Sequence, residues 1–390
     1  MIALLLLQAA VGVAPVPIAT GAERAGSDVV VSAQRLDQTE AALAACVARR
    51  CAPVADINAT IAHADNQFIA GDFRGARRTL LASKGRNQGH ARDFPVAVSE
   101  LLRVDAFVAQ LVGEDAYARI GTLDSVSALK KGLAAGDQRI AAQRLEVAAI
   151  FARQGRKSAI TMLDAITDTA AERGWPKLEA EARLRAAAVY AGTATRDLTF
   201  LGEARRRLAA LRAMTAPAAR PYIDAAVLVD ARLAQISGDK DALAVARSAA
   251  KTARVDQAIM VYTPAVDLGQ AFTGGNVRPL HDTRDQWVDL RFNVAPDGSV
   301  RHLSEVGRGK RAEGRWIKVA ADSVANRQYL PLAQASDGPG IERVERFLLT
   351  AALDSTVDSR IRVPVGRPRL QSVDLTPRDF SPGAALPTAG

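Results

Sequence analysis

The spacing of apolar residues changes along the chain, from helical intervals in the first two thirds to alternation in the last third. Across residues 37–254, apolar side chains recur every three or four positions, which predicts helices with one buried face. Residues 287–294 instead place an apolar side chain at every second position, as in a half-buried strand. This change predicts an α+β multidomain protein with a boundary between Arg254 and Tyr262, on either side of which each part folds separately.

The helical part is interrupted by glycines that separate one apolar helix from the next. Gly71, Gly113 and Gly155 lie 42 positions apart, and a further break falls at Gly238. Residues 71–81 resemble the turn and second helix of a tetratricopeptide repeat, although the standard repeat is shorter, at about 34 positions. Such helical hairpins cannot bury their apolar faces alone and must stack. The sequence therefore predicts an all-α, tetratricopeptide-like solenoid over residues 37–254.

A strand, a tight turn, a second strand and a helix follow one another closely in residues 286–332. The Pro-Asp-Gly sequence at residues 296–298 supplies the turn, because proline fixes φ and glycine accepts the left-handed conformation. Residues 315–326 have helical spacing, and an extended run begins at Tyr329. This order predicts a small antiparallel sheet with one packed helix.

The same stretch resembles the C-terminal domain of TonB-type energy transducers. The shared features are the alternating first strand, the Pro-Asp-Gly-Ser-Val turn at residues 296–300, the helix, an aromatic-x-Pro segment at residues 329–331 and a further strand at residues 344–350. The resemblance identifies residues 255–375 as a TonB C-terminal-like domain. The chain departs from the family pattern around residues 286–287, where glycine is usual, and beyond Thr356, where it extends past the usual end.

The resemblance implies that this module captures an extended peptide along an exposed sheet edge, the mode called β-augmentation. Phe347 and Leu349 are expected to face the helix, with Arg346 and Leu348 on the opposite face. The implied partner-binding residues of the edge strand are Val344, Glu345, Arg346, Leu348 and Thr350.

A second interpretation of this edge stays open. Residues 361–365, part of the extension beyond the family pattern, fold back and cover it, since natural sheets protect their edges. Pro364 confines that segment to an edge or to the end of a strand, because proline cannot donate to the ladder.

The N-terminus predicts export. An apolar run at residues 2–14 has the length of a signal peptide, which predicts removal of residues 1–22. No basic residue precedes the run, so an uncleaved inner-membrane anchor and a misassigned start are the alternatives. The Pro- and Gly-rich tail at residues 376–390 is predicted to be disordered.

An extended linker is expected at residues 23–36, and part of it resembles the TonB box of outer-membrane receptors. The pattern is an acidic residue, three aliphatic residues, a hydroxyl residue and alanine. In that family the segment is bound as an added strand, and the alternative is a plain linker strand. The matching residues are Asp28, Val29, Val30, Val31, Ser32 and Ala33.

Composition points away from catalysis and from nucleic acid. The net charge is +9, but the basic residues are interspersed with acidic ones along the helices, and no nucleic-acid-binding motif is found. The four histidines are scattered without the spacing of a helical zinc pair, and neither a nucleophile elbow nor a phosphate-binding loop is present. We therefore predict protein or peptide partners, no enzyme activity and no cofactor or metal.

The two cysteines of the chain, Cys46 and Cys51, are predicted to form a disulfide. In a continuous helix, positions five apart are roughly 8–9 Å apart at Cα, beyond the ~7 Å that a disulfide spans. The bridge therefore requires the helix to end near Arg49 and Arg50, which agrees with Pro53 shortly afterwards. Two small buried thiols are the alternative.

Three functions follow from these patterns. The first is a periplasmic scaffold in which the helical array recruits one partner and the TonB-like module another. The second is an inner-membrane-anchored, atypical TonB-type energy transducer for outer-membrane transport. The third is a cytoplasmic tetratricopeptide adaptor with reduced cysteines.

Overall fold

The computed structural model describes residues 31–153, 158–239, 241, 258, 260–264, 266, 268, 285–354 and 363–376. A helical N-terminal part precedes a four-stranded antiparallel sheet with one helix, which confirms the α+β class. Short 3-10 turns precede α4 and α10, at Gln88–Ala91 and Pro217–Ala219. The helices of the first part are α1 (Val31–Ala48), α2 (Pro53–Ile69), α3 (Phe73–Asn87), α4 (Pro95–Leu111), α5 (Asp115–Gly132), α6 (Gln138–Arg153), α7 (Ser158–Glu172), α8 (Pro176–Ala194), α9 (Phe200–Arg212) and α10 (Arg220–Ile236).

Proline and glycine set the limits of several helices. Proline lies in the first turn of α2, α4, α8 and α10, where its missing N–H costs no hydrogen bond. The predicted breaks at Gly71, Gly113 and Gly238 are confirmed: they lie in the turns after α2, α4 and α10, and each has a positive φ. The predicted break at Gly155 lies outside the described residues.

The helices pack in two layers, with the even-numbered helices in one and the odd-numbered helices in the other. Successive helices contact each other throughout, and α2 also packs against α4, α6 against α8, and α8 against α10. Ion pairs from Lys84 to Asp124 and from Arg207 to Asp164 join odd helices to each other. Each hairpin thus buries apolar surface against the next one.

Helix α1 begins earlier than the sequence predicted. The expected extended linker is wrong from Val31 onward, because residues 31–36 belong to this helix. Ala, Gln, Arg and Leu at residues 33–36 are strong helix formers, and they outweigh the β-branched start of the segment. Of the TonB-box-like segment, Val31, Ser32 and Ala33 are therefore helical, whereas Asp28, Val29 and Val30 lie outside the described residues.

The predicted disulfide is present. Helix α1 ends at Ala48, and Arg50 has a φ of 52° in the turn before α2. This turn brings the Cα atoms of Cys46 and Cys51 to 5.3 Å, within the range that a disulfide spans. The bridge joins the end of α1 to the start of α2.

The predicted succession of strand, turn, strand, helix and strand along the chain is present. The strand order of the sheet is β3-β2-β5-β6, all neighbours being antiparallel, and β1 pairs separately with β4. Phe347 and Leu349 share a core with Ala320 and Val324 of α11, as expected. The elements are β1 (Met260–Tyr262), β2 (Trp287–Val294), β3 (Val300–Arg308), α11 (Arg315–Ala325), β4 (Gln328–Tyr329), β5 (Ile341–Asp354) and β6 (Val363–Asp374).

The other face of the sheet packs against the helical part. Leu348 is buried in one apolar cluster with Phe68, Leu101 and Leu111, and Trp287 packs against the same cluster. A Cβ at Gly71 would lie 2.8 Å from the indole Nε1 of Trp287, so this turn lies directly against the sheet. The two parts therefore share a core, and independent folding on either side of the predicted boundary stays a prediction.

Arg346 is the central polar residue of this contact and is 1% exposed. Its guanidinium donates to both carboxylate oxygens of Asp289 at 2.7 and 2.8 Å. It also donates to the backbone carbonyls of Phe68 at 2.6 Å and Ile69 at 2.8 Å, and it lies 3.9 Å from the ring centroid of Trp287. The carbonyls at the C-terminal end of α2 carry the negative end of the helix dipole and favour a cation. One side chain of the sheet thus caps a helix of the array.

We expect Arg346→Met to destabilise the protein by about 3–5 kcal/mol, because the carboxylate of Asp289 would remain buried without its cation. Urea unfolding of the full chain measures this change. Arg301→Met is the matched control, since its partner Asp297 is exposed and its loss costs at most about 1 kcal/mol. Equal midpoints for the two variants would contradict the role assigned to Arg346.

Removing the disulfide by Cys46→Ala with Cys51→Ala is expected to cost about 2 kcal/mol, the loop-closure term for a loop of roughly six residues. Unfolding followed with and without a thiol reductant tests this. The reductant is expected to lower the stability of the natural chain to that of the double variant and to leave the variant unchanged. A natural chain that is insensitive to reductant, or two free thiols by alkylation mass spectrometry, would count against the bridge.

Candidate functional site

The expected edge strand is not an edge. Residues 345–354 of β5 pair with β6 on one side, and residues 341–348 pair with β2 on the other. The backbone N–H of Val344 donates to Thr376 Oγ1 at 3.1 Å, and its carbonyl accepts from Leu375 N at 2.8 Å. The prediction that β5 offers a free edge to a peptide is wrong. The alternative, that the extension beyond Thr356 covers this edge, is confirmed, but residues 369–374 cover residues 345–350, and residues 363–365 pair further along, with residues 352–354.

The side chains of the predicted edge site have structural partners instead. Glu345 is buried and accepts from Arg327 at 2.8 Å. Arg346 and Leu348 face the helical part, and Thr350 accepts from Gln371 at 3.1 Å. These residues hold the module together, because the added strand β6 turned an edge into an interior position.

A different candidate surface consists of charged side chains on four successive even-numbered helices. We call it the even-helix face. None of its members was singled out from the sequence, because periodicity did not tell which helical face binds. It consists of Asp65 on α2, Glu100 and Arg103 on α4, Glu146 on α6, and Glu181 and Arg185 on α8.

One half of the even-helix face is a connected ion-pair network. Arg185 Nη2 lies 3.0 Å from Glu146 Oε1 and 2.6 Å from Glu181 Oε1. Tyr222 of α10 donates its hydroxyl to Glu181 at 3.2 Å. Burial raises the pKa of Glu181, with Arg185 acting in the opposite direction. The network links three successive even helices, and its Glu181 and Arg185 are buried.

The other half contains an unusual carboxylate. Arg103 donates to Glu100 at 2.7 Å, and this hydrogen bond raises the pKa of Arg103. Asp65 is half-buried, and burial, reinforced by the negative charge of Glu100, raises its pKa to about 6. No hydrogen bond to Asp65 is found among the described residues, so the attraction of Arg103, which lowers the pKa of Asp65, only partly offsets its burial.

Apolar side chains flank these charges. Val96, Glu100, Arg103 and Phe107 lie at intervals of four, three and four along α4, which places them on one side of the helix. Val96 and Phe107 are 43% and 42% exposed. On α2, the exposed Ile69 follows Asp65 by one turn. A charged centre with apolar ends can bind an extended peptide through both kinds of contact.

Other chemistry is less well supported. Within residues 31–376, as far as they are described, no group of three His, Cys, Asp or Glu side chains could hold a metal ion. The described helices include none that is long and apolar enough to cross a membrane. His63 is buried, 3.2 Å from Thr39 Oγ1, and His281 lies outside the described residues. No family model matches the chain, and no curated protein matches it in sequence.

The raised pKa of Asp65 predicts how stability depends on pH. Its folded-state pKa of about 6 exceeds the ordinary 3.8, so the ionised form is disfavoured in the fold and this penalty grows as pH rises from about 4 to about 6. We expect Asp65→Asn to be more stable than the natural chain by about 1–3 kcal/mol at pH 7.5 and equal to it near pH 3.5.

Urea unfolding at the two pH values measures this difference. Asp168→Asn, at an exposed position on α7, is the control and is expected to change stability little at either pH. A stability gain for Asp65→Asn that is the same at pH 3.5 and pH 7.5 would contradict the assignment.

Proposed function

We propose that this protein is a periplasmic scaffold whose even-helix face binds an extended, basic segment of a partner protein. The observation that carries the proposal is the half-buried carboxylate of Asp65, whose burial Arg103 offsets only in part, between exposed apolar side chains of α2 and α4. A stable fold gains nothing from such a group, whereas a cationic side chain of a partner would offset its burial cost.

The architecture supports this use. Stacked helical hairpins offer a long surface, and arrays of the tetratricopeptide type bind peptides along one layer of helices. The contacts of α2 with α4, of α6 with α8 and of α8 with α10 support a tetratricopeptide-like solenoid in which the even helices are the inner layer. The six charged members of the even-helix face include four carboxylates and two guanidiniums, so the complementary partner is basic.

The periplasm is proposed from the signal-like run at residues 2–14 together with the disulfide. Structural disulfides persist in oxidising compartments and are rare in the cytosol. The same reasoning disfavours the cytoplasmic adaptor, in which both thiols would be reduced.

The sheet module is proposed to be TonB C-terminal-like, because the order of strand, turn, strand, helix and strand is that of the resembling family. Energy transduction is a weaker proposal. The edge that corresponds to the family's peptide-binding strand is occupied by β6, and the N-terminal segment required as an anchor lies outside the described residues. The module is therefore assigned to the scaffold function rather than to transduction.

A fluorescent, amidated hexapeptide of alternating lysine and leucine tests the even-helix face. We expect it to bind the full chain more tightly as pH rises from 5 to 7.5, because Asp65 ionises in this interval. Asp65→Asn is expected to flatten this dependence, and Asp65→Lys to weaken binding about tenfold.

Asp168→Lys introduces the same charge change on α7 and serves as the control. Fluorescence anisotropy gives the affinities. Equal weakening by the two lysine variants, or an absence of binding, would show that the even-helix face is not the binding surface.

A further inference from the structure

The sheet carries a second surface that neither the covered β5 edge nor the even-helix face includes. We propose that the groove between β3 and α11 binds a short, extended, acidic segment of a partner protein, which adds a strand to the outer side of β3. Its apolar floor consists of Leu290, Leu303, Ile317 and Ala321, and Glu305 and Arg308 form the wall on β3.

The first argument is that β3 is an outermost strand. It pairs with β2 on one side, and no described strand pairs with its other side. The backbone N–H of Gly309 donates to the carbonyl of Trp287 at 2.9 Å, so these two residues form a hydrogen-bonded pair. In an antiparallel ladder, hydrogen-bonded pairs alternate with non-hydrogen-bonded pairs. The next pair, Val288 with Arg308, is therefore non-hydrogen-bonded. The N–H and C=O of Arg308 consequently point away from β2, toward a strand that could be added.

The second argument concerns the length of the partner segment. β3 shifts register with β2 at Val306 and again at His302 and Leu303, and His302 has a φ of 54°. Bulges of this kind bend a strand and end regular pairing. The irregularity at His302 and Leu303 limits an added strand to residues 303–308, and the bulge at Val306 interrupts its pairing within that stretch. This short length suits a linear peptide segment and disfavours the continued addition of strands from further copies of the protein.

The third argument is the groove itself. It has a volume of about 490 Å³, within the range of pockets that bury a ligand. A strand paired with β3 directs every second side chain to the α11 face of the sheet. Apolar side chains at those positions would lie over Leu303 and Ile317, which are only partly buried in the core of the module.

The fourth argument is charge. Residues 305–318 contain five basic and two acidic side chains. Arg308 pairs with Glu305 at 2.6 Å, and Lys318 pairs with Asp322 one turn further along α11. Among the residues that line the groove, Glu305 and Glu313 offset Arg308 and Lys318, so the excess of positive charge comes from exposed neighbours in sequence such as Lys310 and Arg315. An acidic segment complements this excess, whereas a second copy of β3 would bring like charges together.

The probe is a fluorescein-labelled, amidated hexapeptide of alternating glutamate and valine, and the control peptide has lysine in place of glutamate. Both are titrated into the Asp65→Lys chain at low salt, so that the cationic control cannot use the even-helix face. A negative result in this titration therefore contradicts the β3 groove and not the proposed function of the even-helix face. We expect the acidic peptide to bind about tenfold more tightly than the basic one, and added salt to reduce the difference.

Two matched pairs of variants locate the contact. Arg308→Ala and Arg308→Pro remove the same charge, but only proline removes the edge N–H, so Arg308→Pro is expected to bind about two- to tenfold more weakly than Arg308→Ala. Ala321→Phe fills the groove and is expected to abolish binding. Ala325→Phe, at an exposed position on the same helix, is expected to leave it unchanged.

Amide chemical shifts of the full chain complete the test, with perturbations expected at residues 303–308 and 317–321. Unfolding midpoints confirm that each variant is folded before its affinity is interpreted. The proposal is overturned if the acidic peptide does not bind or binds no better than the basic one. It is also overturned if either matched pair behaves identically, if the perturbations lie elsewhere, or if the chain dimerises through β3.

Discussion

The guanidinium of Arg346 is the interaction on which the arrangement of this protein depends. Four hydrogen bonds, two to Asp289 and two to the last carbonyls of α2, satisfy a charge that is 1% exposed. A buried cation without such partners would cost several kcal/mol, so the acceptors that the sheet and the array supply both stabilise the docked arrangement. The indole of Trp287 covers the guanidinium, and Gly71 leaves room for the indole. Gly71 therefore ends α2 and also leaves space for the sheet to pack against this turn.

The sheet contacts the same part of two successive hairpins. Arg346 donates to the carbonyl of Phe68 near the end of α2, and Gln371 donates to the carbonyl of Gln110 near the end of α4, at 3.3 Å. These two carbonyls are 42 positions apart, the interval that separates the first glycine breaks. Arg369 adds an ion pair with Asp115 at the start of α5. β6 is therefore both the cover of β5 and a second anchor to the array.

Local features of the fold were predictable because their causes are local. Glycine and proline predicted the ends of several helices, and alternation predicted β2 and the core-facing side of β5. The spacing of Cys46 and Cys51 predicted that a disulfide requires α1 to end before Cys51. Coverage of β5 by the extension was only one of two open interpretations, and its register with β6 was not predicted. The contact of β5 with helices more than two hundred positions away leaves no local pattern in the sequence. Arg346 and Leu348 were correctly expected on one face, but alternation does not distinguish a face that meets water from one that meets another domain. The even-helix face did leave a signal: Tyr222 and Glu181 are separated by 41 positions, and Arg185 and Glu146 by 39. Charged and polar side chains that are about one hairpin length apart in the sequence can therefore pair between successive hairpins.

Helix α2 connects the anchor to the candidate binding surface. Asp65 lies one turn before Phe68 and Ile69, whose carbonyls Arg346 holds. A rotation of α2 that moved Asp65 would also displace those carbonyls from the guanidinium. The docked sheet therefore holds the carboxylate in place, and a partner that binds there does not have to order the helix first. Preorganisation of this kind lowers the cost of association. If the proposed scaffold function holds, this is a physical reason for a costly half-buried charge and a docked sheet to lie on the same helix.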